Sequence, residues 1–274
     1  MTQKISIHKG GVQETLLLPL WGRAYETRQP NPRLVDPQAV EILEKIDYDF
    51  STIIDTQAVS QHGWVARSLH IDKMALDFIQ TYPEATLVNI GCGLDTTFSR
   101  IDNGKITFYE LDLPDVIELR KHFFTDSARH RSIASSFLDT EWFQEIEVRD
   151  AVLCLAGGVL YYFQEEQIKD FFLKAADFFR NVDFFFDSLS PLGIKIGKKM
   201  VLKKGGMGMS MDEGWGLKSV KSLETWDPRV TVVSATPMYK GLKKGLSLGT
   251  KLLLTMPDML GVCSMVHLRI ENPA

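Results

Sequence analysis

Residues 87–101, LVNIGCGLDTTFSRI, form an apolar run that stops at two glycines, Gly91 and Gly93, and then turns polar. About twenty residues later a second run, ITFYELD, closes on two acids, Glu110 and Asp112, that sit two positions apart and so share a strand face. Glycine at a strand end lets a ligand approach the backbone with no Cβ in the way. A carboxylate at the end of the following strand can accept hydrogen bonds from both hydroxyls of a ribose. The spacing predicts a site for a nucleoside-bearing cofactor, with Gly91, Cys92 and Gly93 beneath it and Glu110 and Asp112 beside its sugar.

A dinucleotide loop would continue to a third glycine and present a helix N-terminus to a pyrophosphate. Thr96 stands in that third place, and Asp95 sets a negative charge where the pyrophosphate would lie. An NAD(P)-dependent oxidoreductase is therefore the disfavoured alternative. No histidine at 8, 62, 70, 122, 130 or 267 falls into an acid–base pairing, and each reads first as structural or solvated. His62 is the one whose position suits a general base. Asp187, ending FFFDSL, faces the same sheet edge and either acts there or caps the next element of the chain.

The elements that must position these residues read as helices followed by an alternating α/β run. Residues 12–30 carry apolar positions at helical spacing up to the prolines of RQPNPRLVDP; Asp36 then caps a second helix opening with Pro37. GWVARSLHIDKMALDFIQTY is a long amphipathic helix closed by Pro83. From residue 86, short apolar strands alternate with segments such as LPDVIELRKHFF and EEQIKDFFLKAADFFR, which predicts a doubly wound, mostly parallel sheet buried on both faces. Residues 190–229, rich in Gly, Lys and Met, interrupt the pattern before VTVVSATPMY and CSMVHLRIE resume it. There GGMGMSM at 205–211 reads equally as a flexible cover for an apolar acceptor and as a core-filling or exposed loop, while Lys198, Lys199, Lys203 and Lys204 read as a solvated cationic face.

A formal net charge of −4 gives no overall attraction to nucleic acid or to anionic membranes, although a local patch remains compatible with it. Cys92, Cys154 and Cys263 lie far apart with no metal-ligand spacing, so buried reduced thiols and no metal are expected. The N-terminus has no signal-peptide pattern and no run is long enough to span a membrane, which predicts a cytoplasmic protein.

Taken together, WGRAYETRQPNPRLVDPQA, VARSLHID, NIGCGLDTTFSR, YELDLPDV, SSFLDTEW and GGVLYYF resemble, in order, the S-adenosylmethionine-dependent O-methyltransferases that include leucine carboxyl methyltransferase and the polyketide-type enzymes. The resemblance covers most of residues 15–190, with only general layout beyond, and implies a Rossmann-like methyltransferase fold; the whole chain, 1–274, is expected to form one such domain. Its parts are an N-terminal helical cap (1–85), a cofactor-binding core (86–189), a lid or acceptor insertion (190–229) and C-terminal strands (230–274), the last of them antiparallel. It implies S-adenosyl-L-methionine as cofactor, Arg67 on the cofactor's carboxylate with Arg23 near it, Gly91 and Gly93 beneath the cofactor, and Asp112 on the ribose. The departure at Gly157 makes a small-molecule acceptor more plausible than a protein C-terminus, and a homodimer is allowed. Two positions depart from the family: Ser136-Phe137 replaces Asp-Leu near the adenine, with Asp139 reading as a helix cap, and Gly157 replaces a glutamate beside the cofactor. These departures leave open a binding protein without catalysis. Tyr161 and Tyr162 either line the acceptor cavity or pack inward.

Overall fold

A computed structural model describes residues 4–7, 12–204 and 214–272 of the 274-residue chain. The methionine-rich stretch 205–211 lies outside the described residues.

Three helices come first: α1 (Val12–Thr27), α2 (Pro37–Lys45) and α3 (Ser51–Thr81), with a small parallel pair formed by β1 (Ile5–Ser6) and β2 (Ile46–Asp47). Asp36 caps α2, its Oδ1 accepting from the Ala39 amide at 2.9 Å, and Pro37 occupies the first helical position, where its missing N–H costs nothing. Helix α3 runs for 31 residues, about 46 Å at 1.5 Å per residue, so it starts well before the predicted GWVARS segment.

The remaining elements build one sheet: β3 (Thr86–Ile90), α4 (Thr97–Ile101), β4 (Thr107–Asp112), α5 (Pro114–Arg120), β5 (His130–Ala134), β6 (Val152–Ala156), α6 (Glu165–Phe179), β7 (Asn181–Leu189), α7 (Pro191–Lys204), β8 (Val230–Pro237), α8 (Leu248–Met259) and β9 (Cys263–Glu271). Strand order is β5-β4-β3-β6-β7-β9-β8. The five strands from β5 to β7 are parallel, and β9 runs antiparallel between β7 and β8. The chain moves outward from β3 to β5 and then returns to place β6 on the other side of β3. The order therefore reverses between β3 and β6, where a doubly wound sheet opens its ligand crevice.

Register explains the two apolar faces. Leu87, Phe108 and Leu153 align across β3, β4 and β6 and pack under Ala66, Ile71, Ala75 and Phe78 of α3. Val88, Tyr109, Cys154 and Phe184 point the other way, onto α6, whose stripe of Ile168, Phe171, Phe172, Ala175, Ala176 and Phe179 keeps strict helical spacing. Helix α3 thus belongs to the N-terminal helical segment and also covers one face of the sheet. Helix α8 has no counterpart in the sequence reading. Asp139 is exposed and makes no side-chain cap bond to the 3-10 turn Thr140–Glu145 that comes after it, contrary to the capping expectation.

Candidate active site

Over the β3/β6 switch lies a cavity of about 530 Å³, a size usual for small-molecule sites. Its floor is the β3–α4 loop, its roof the middle of α3 together with α1, and its sides the ends of β4, β5 and β6.

The floor depends on Gly91. Its φ is +63°, and a Cβ there would sit 2.4 Å from Cγ2 of Val159, a β-branched side chain with little room to rotate. Gly91→Ala is therefore expected to cost about 2–3 kcal/mol, from the left-handed backbone and the clash together, read as a lower urea midpoint with an unchanged slope. A loss below about 0.5 kcal/mol would show that the loop relaxes around a side chain. The Gly93 amide donates to Asp112 Oδ2 at 2.7 Å, which ties this loop to the end of β4.

Asp112 lines the cavity and is half-buried; its Oδ1 also accepts from the Leu113 amide at 2.7 Å. Burial raises its pKa, while those two amides oppose the rise. Each carboxylate oxygen keeps a second acceptor position for a ligand hydroxyl. Glu110, the other acid of the pair, does not reach the cavity. It is fully buried beneath the loop, held by Arg120 NH2 at 2.8 Å, Asn89 Nδ2 at 2.9 Å and His130 Nε2 at 3.1 Å. The shared strand face is real, but one pleat separates a cavity acid from a core acid.

Arg67 lies in the cavity wall. Its NH2 meets Asp187 Oδ2 at 2.9 Å and donates to the Tyr161 hydroxyl at 3.3 Å, while its buried Nε has no hydrogen-bond partner among the described residues. Burial works against the guanidinium charge and Asp187 more than restores it, so its pKa is raised. Asp187 is fully buried and its Oδ1 accepts from the Gly158 amide at 2.6 Å; it braces Arg67 and is absent from the cavity lining, so it does not face the cavity as a base.

This arrangement accounts for Gly157. A Cβ at residue 157 would lie 2.8 Å from Ile71 Cδ1 and 3.1 Å from Arg67 Cδ, and one at Gly158 would lie 2.5 Å from Arg67 NH1. Arg67 is laid across the two glycines, which leave no room for a side chain at 157 or 158 without moving it.

Arg23 also lines the cavity, buried, with its Nε on Asp36 Oδ2 at 2.9 Å and its NH2 on the Leu94 carbonyl at 2.8 Å. Asp36 Oδ2 further accepts from Thr96 Oγ1 at 2.5 Å and Arg100 NH1 at 3.0 Å. Thr96, standing where a dinucleotide loop has glycine, is thereby committed to a bond with the cap. Asp95 lies 3.9 Å from both Arg23 and Arg100.

Cys92, Ser136, Phe137, Gly157 and Tyr162 all line the cavity, as does Tyr161. Burial pushes the Cys92 thiol and both tyrosine hydroxyls upward, so each is protonated at neutral pH. His62 is not in the lining. Its Nδ1 lies 3.0 Å from Arg33, and burial followed by the Arg33 charge lowers its pKa. No histidine lines the cavity among the described residues.

The sequence reading missed Ser60, Trp64 and Ile71, which join Arg67 in the wall at intervals of three and four along α3. That period was available once Arg67 was chosen. Leu16, Leu18 and Pro19 of α1 were missed as well, and no local pattern distinguishes them from core positions.

The cavity fits an adenosyl-amino-acid ligand on its own features: a glycine cradle that a Cβ would fill, an acid at the end of β4, and a half-buried guanidinium whose buried Nε has no partner among the described residues.

Comparison with known proteins agrees. The sequence model described as Leucine carboxyl methyltransferase matches residues 17–176. The chain is 31% identical over 224 residues to the tetracenomycin polyketide synthesis O-methyltransferase TcmP of Streptomyces glaucescens, covering 81% of this chain and 82% of that protein. It is 25% identical over 238 residues to the S-adenosyl-L-methionine-dependent methyltransferase dpfgK of Gibberella zeae, covering 80% and 79% respectively. Among solved structures, the plantazolicin methyltransferase BpumL, in complex with a triazolic desmethylPZN analog and SAH, superposes with a TM-score of 0.51 at 11% identity, over 95% of this chain and 100% of that one. The nicotinamide alternative falls with these matches, and the chain belongs to the leucine carboxyl methyltransferase family of S-adenosyl-L-methionine-dependent O-methyltransferases.

Proposed function

We propose that this enzyme methylates an oxygen of a small, largely apolar molecule whose acceptor group is already acidic, a carboxylate or an acidic phenol or enol. The observation that carries this reading is the lining itself. Its titratable groups are either engaged, as with Arg23, Arg67, Asp95 and Asp112, or held protonated by burial, as with Cys92, Tyr161 and Tyr162. A neutral alcohol would need a positioned base; an acceptor that arrives ionised needs only alignment and exclusion of water.

S-adenosyl-L-methionine, when bound, supplies an electrophilic methyl on a sulfonium. The chain's own residues then divide the work. Asp112 holds the ribose hydroxyls, Gly91, Cys92 and Gly93 let the ligand lie against the backbone, and Arg67, braced by Asp187, pairs with its carboxylate. Ser136 and Phe137 flank the base, and Arg23 adds positive charge at the wall. Trp64, Leu16, Leu18 and Phe163 give the acceptor a dry, flat surface, with Tyr161 and Tyr162 able to donate to its oxygens. That the TcmP relative is an O-methyltransferase of polyketide synthesis supports a small-molecule acceptor of this kind. The free thiols of Cys92, Cys154 and Cys263 support action in the cytoplasm.

The test is the pH dependence of kcat/KM for aryl carboxylates and phenols of graded acidity, followed by transfer of labelled methyl. The rate should rise with pH through each acceptor's own pKa and level off above it. A rising limb at one fixed pH for every acceptor would reveal an enzyme base and overturn the reading.

A further inference from the structure

Residues 190–260 contain twelve Lys and Arg against five Asp and Glu, in a chain whose net charge is −4. The same segment carries an apolar surface that methyl transfer does not use. Strand β8 ends at Pro237 opposite Ser264, and β9 begins at Cys263 opposite Leu189, the end of β7. The connection 238–262, including α8, therefore emerges at the carboxyl edge of the parallel strands, the edge that holds the cavity. It adjoins the cavity's roof: His70 Nε2 lies 2.9 Å from the Met238 carbonyl, and a Cβ on Gly63, which precedes Trp64 and lies one turn after Ser60, would sit 3.2 Å from the Tyr239 hydroxyl. The start of α7 closes the other flank, with the Ser190 amide donating to the Val262 carbonyl at 3.1 Å.

Within α8 only Leu254 is buried. On the opposite side Leu248, Leu252, Leu253, Met256 and Met259, and Leu260 just beyond the helix, are between 47% and 81% exposed. At 100° per residue these six fall within an arc of about 140° that contains no charged residue. A continuous apolar face of this kind is unlike scattered surface leucines and marks a contact surface. Lys240 and Lys244, in the loop that leads into α8, and Lys251, on α8 beside the apolar arc, have no carboxylate partner among the described residues, whereas Lys243 is taken by Asp258 at 2.9 Å. Leu192 and Ile196 of α7 add further exposed apolar area at the same edge.

We propose that α8 and its flanking lysines dock this enzyme on an anionic lipid surface, as a peripheral contact that turns the cavity's edge toward the bilayer. The charge pattern selects the occupant. An apolar centre with a cationic rim matches the boundary between acyl chains and anionic headgroups. A second copy would bring two lysine rims together, and the patch has no spare acid to offset them because Asp258 is already paired. No helix among the described residues is long and apolar enough to cross a membrane, so the contact lies in the interface plane. An apolar acceptor concentrated in the bilayer would reach the site from that side.

The test is flotation of the full chain with vesicles of phosphatidylcholine alone and of phosphatidylcholine mixed with phosphatidylglycerol, alongside light scattering to read its mass. The expected result is a monomer that floats only with the anionic vesicles, releases as salt is raised, and binds at least about tenfold more weakly as Leu252→Ser/Met256→Ser or as Lys240→Glu/Lys244→Glu. Unchanged S-adenosylhomocysteine affinity in both variants certifies their folding. Failure to float, equal flotation with neutral vesicles, or a dimer that the leucine and methionine substitutions convert to monomer would each overturn the proposal, the last in favour of a second copy. Binding to an acidic protein with no binding to vesicles would overturn it as well.

Discussion

Asp36→Ala is expected to remove about 3–5 kcal/mol of folding stability, the range for deleting one partner of a buried ionic network, and to lower Tm by roughly 10 °C in a chain of this size. The carboxylate is fully buried and receives four donors: the Ala39 amide, Arg23 Nε, Arg100 NH1 and Thr96 Oγ1. Arg100 would retain Asp72 at 2.7 Å, but Arg23 would keep only the Leu94 carbonyl and an Asp95 contact at 3.9 Å, leaving a buried cation poorly matched. Asp36→Asn keeps one acceptor oxygen, enough for the Ala39 amide, but sets an NH2 donor against Arg23, Arg100 and Thr96 where Oδ2 now accepts, so it should recover little of the alanine loss. Urea denaturation measures both; a loss under about 1 kcal/mol for alanine would mean that water replaces the carboxylate without strain.

The same network predicts acid sensitivity. Burial pushes the Asp95 carboxyl upward, but the charges of Arg23 and Arg100 outweigh it and hold the value down to about 2. A depressed folded pKa contributes stability that is complete above the unfolded value, about 4 for an aspartate. That contribution is lost as the pH falls from about 4 toward 2. Glu26, likewise lowered to about 2 by Arg33 and Gln61 against its own desolvation, adds loss in the same window.

Arg67→Ala is expected to weaken S-adenosylhomocysteine binding about 100-fold, because a guanidinium paired with a carboxylate in a buried wall is worth several kcal/mol on truncation. The comparison ligand is 5′-methylthioadenosine, which has the adenosine and sulfur but no amino-acid carboxylate. Its affinity should change less than about threefold if Arg67 acts on that carboxylate alone. Calorimetric titration of both ligands into both proteins closes the cycle. Equal losses for the two ligands would show instead that Arg67 supports the cavity wall through its packing on Gly157 and Gly158.

Much of this architecture was legible because local and global signals agree. Asp36 before Pro37, the continuous apolar runs of β3, β4 and β6, and the stripe of α6 each arise from short-range rules and proved consistent with the parallel sheet. The position of the glycines and Asp112 at the cavity was readable for the same reason, since both lie at the carboxyl ends of adjacent parallel strands, where a doubly wound sheet opens its crevice. Glu110 was misplaced because alternation fixes a face but not its depth; only the arrival of Arg120, from α5, and His130, from β5, makes that position core. Asp187 was equally opaque, since its partner lies 120 residues earlier in the chain. Helix α8 was missed because LGTKLLLTMPDM presents its apolar residues to solvent, the reverse of the pattern that announces a helix in a globular chain.

The bonds that Asp36 accepts from Arg23, Thr96 and Arg100 join the loop beneath the cavity to the first two helices, so neither can open without releasing the other. In the language of local unfolding, α1, α2 and the β3–α4 loop form a single cooperative unit. Any ligand that steadies the loop must, by reciprocity, raise the opening free energy of the helices by the same amount it gains from finding them closed. The N-terminal helices are thus a thermodynamic reporter of the site, coupled to it without any moving hinge.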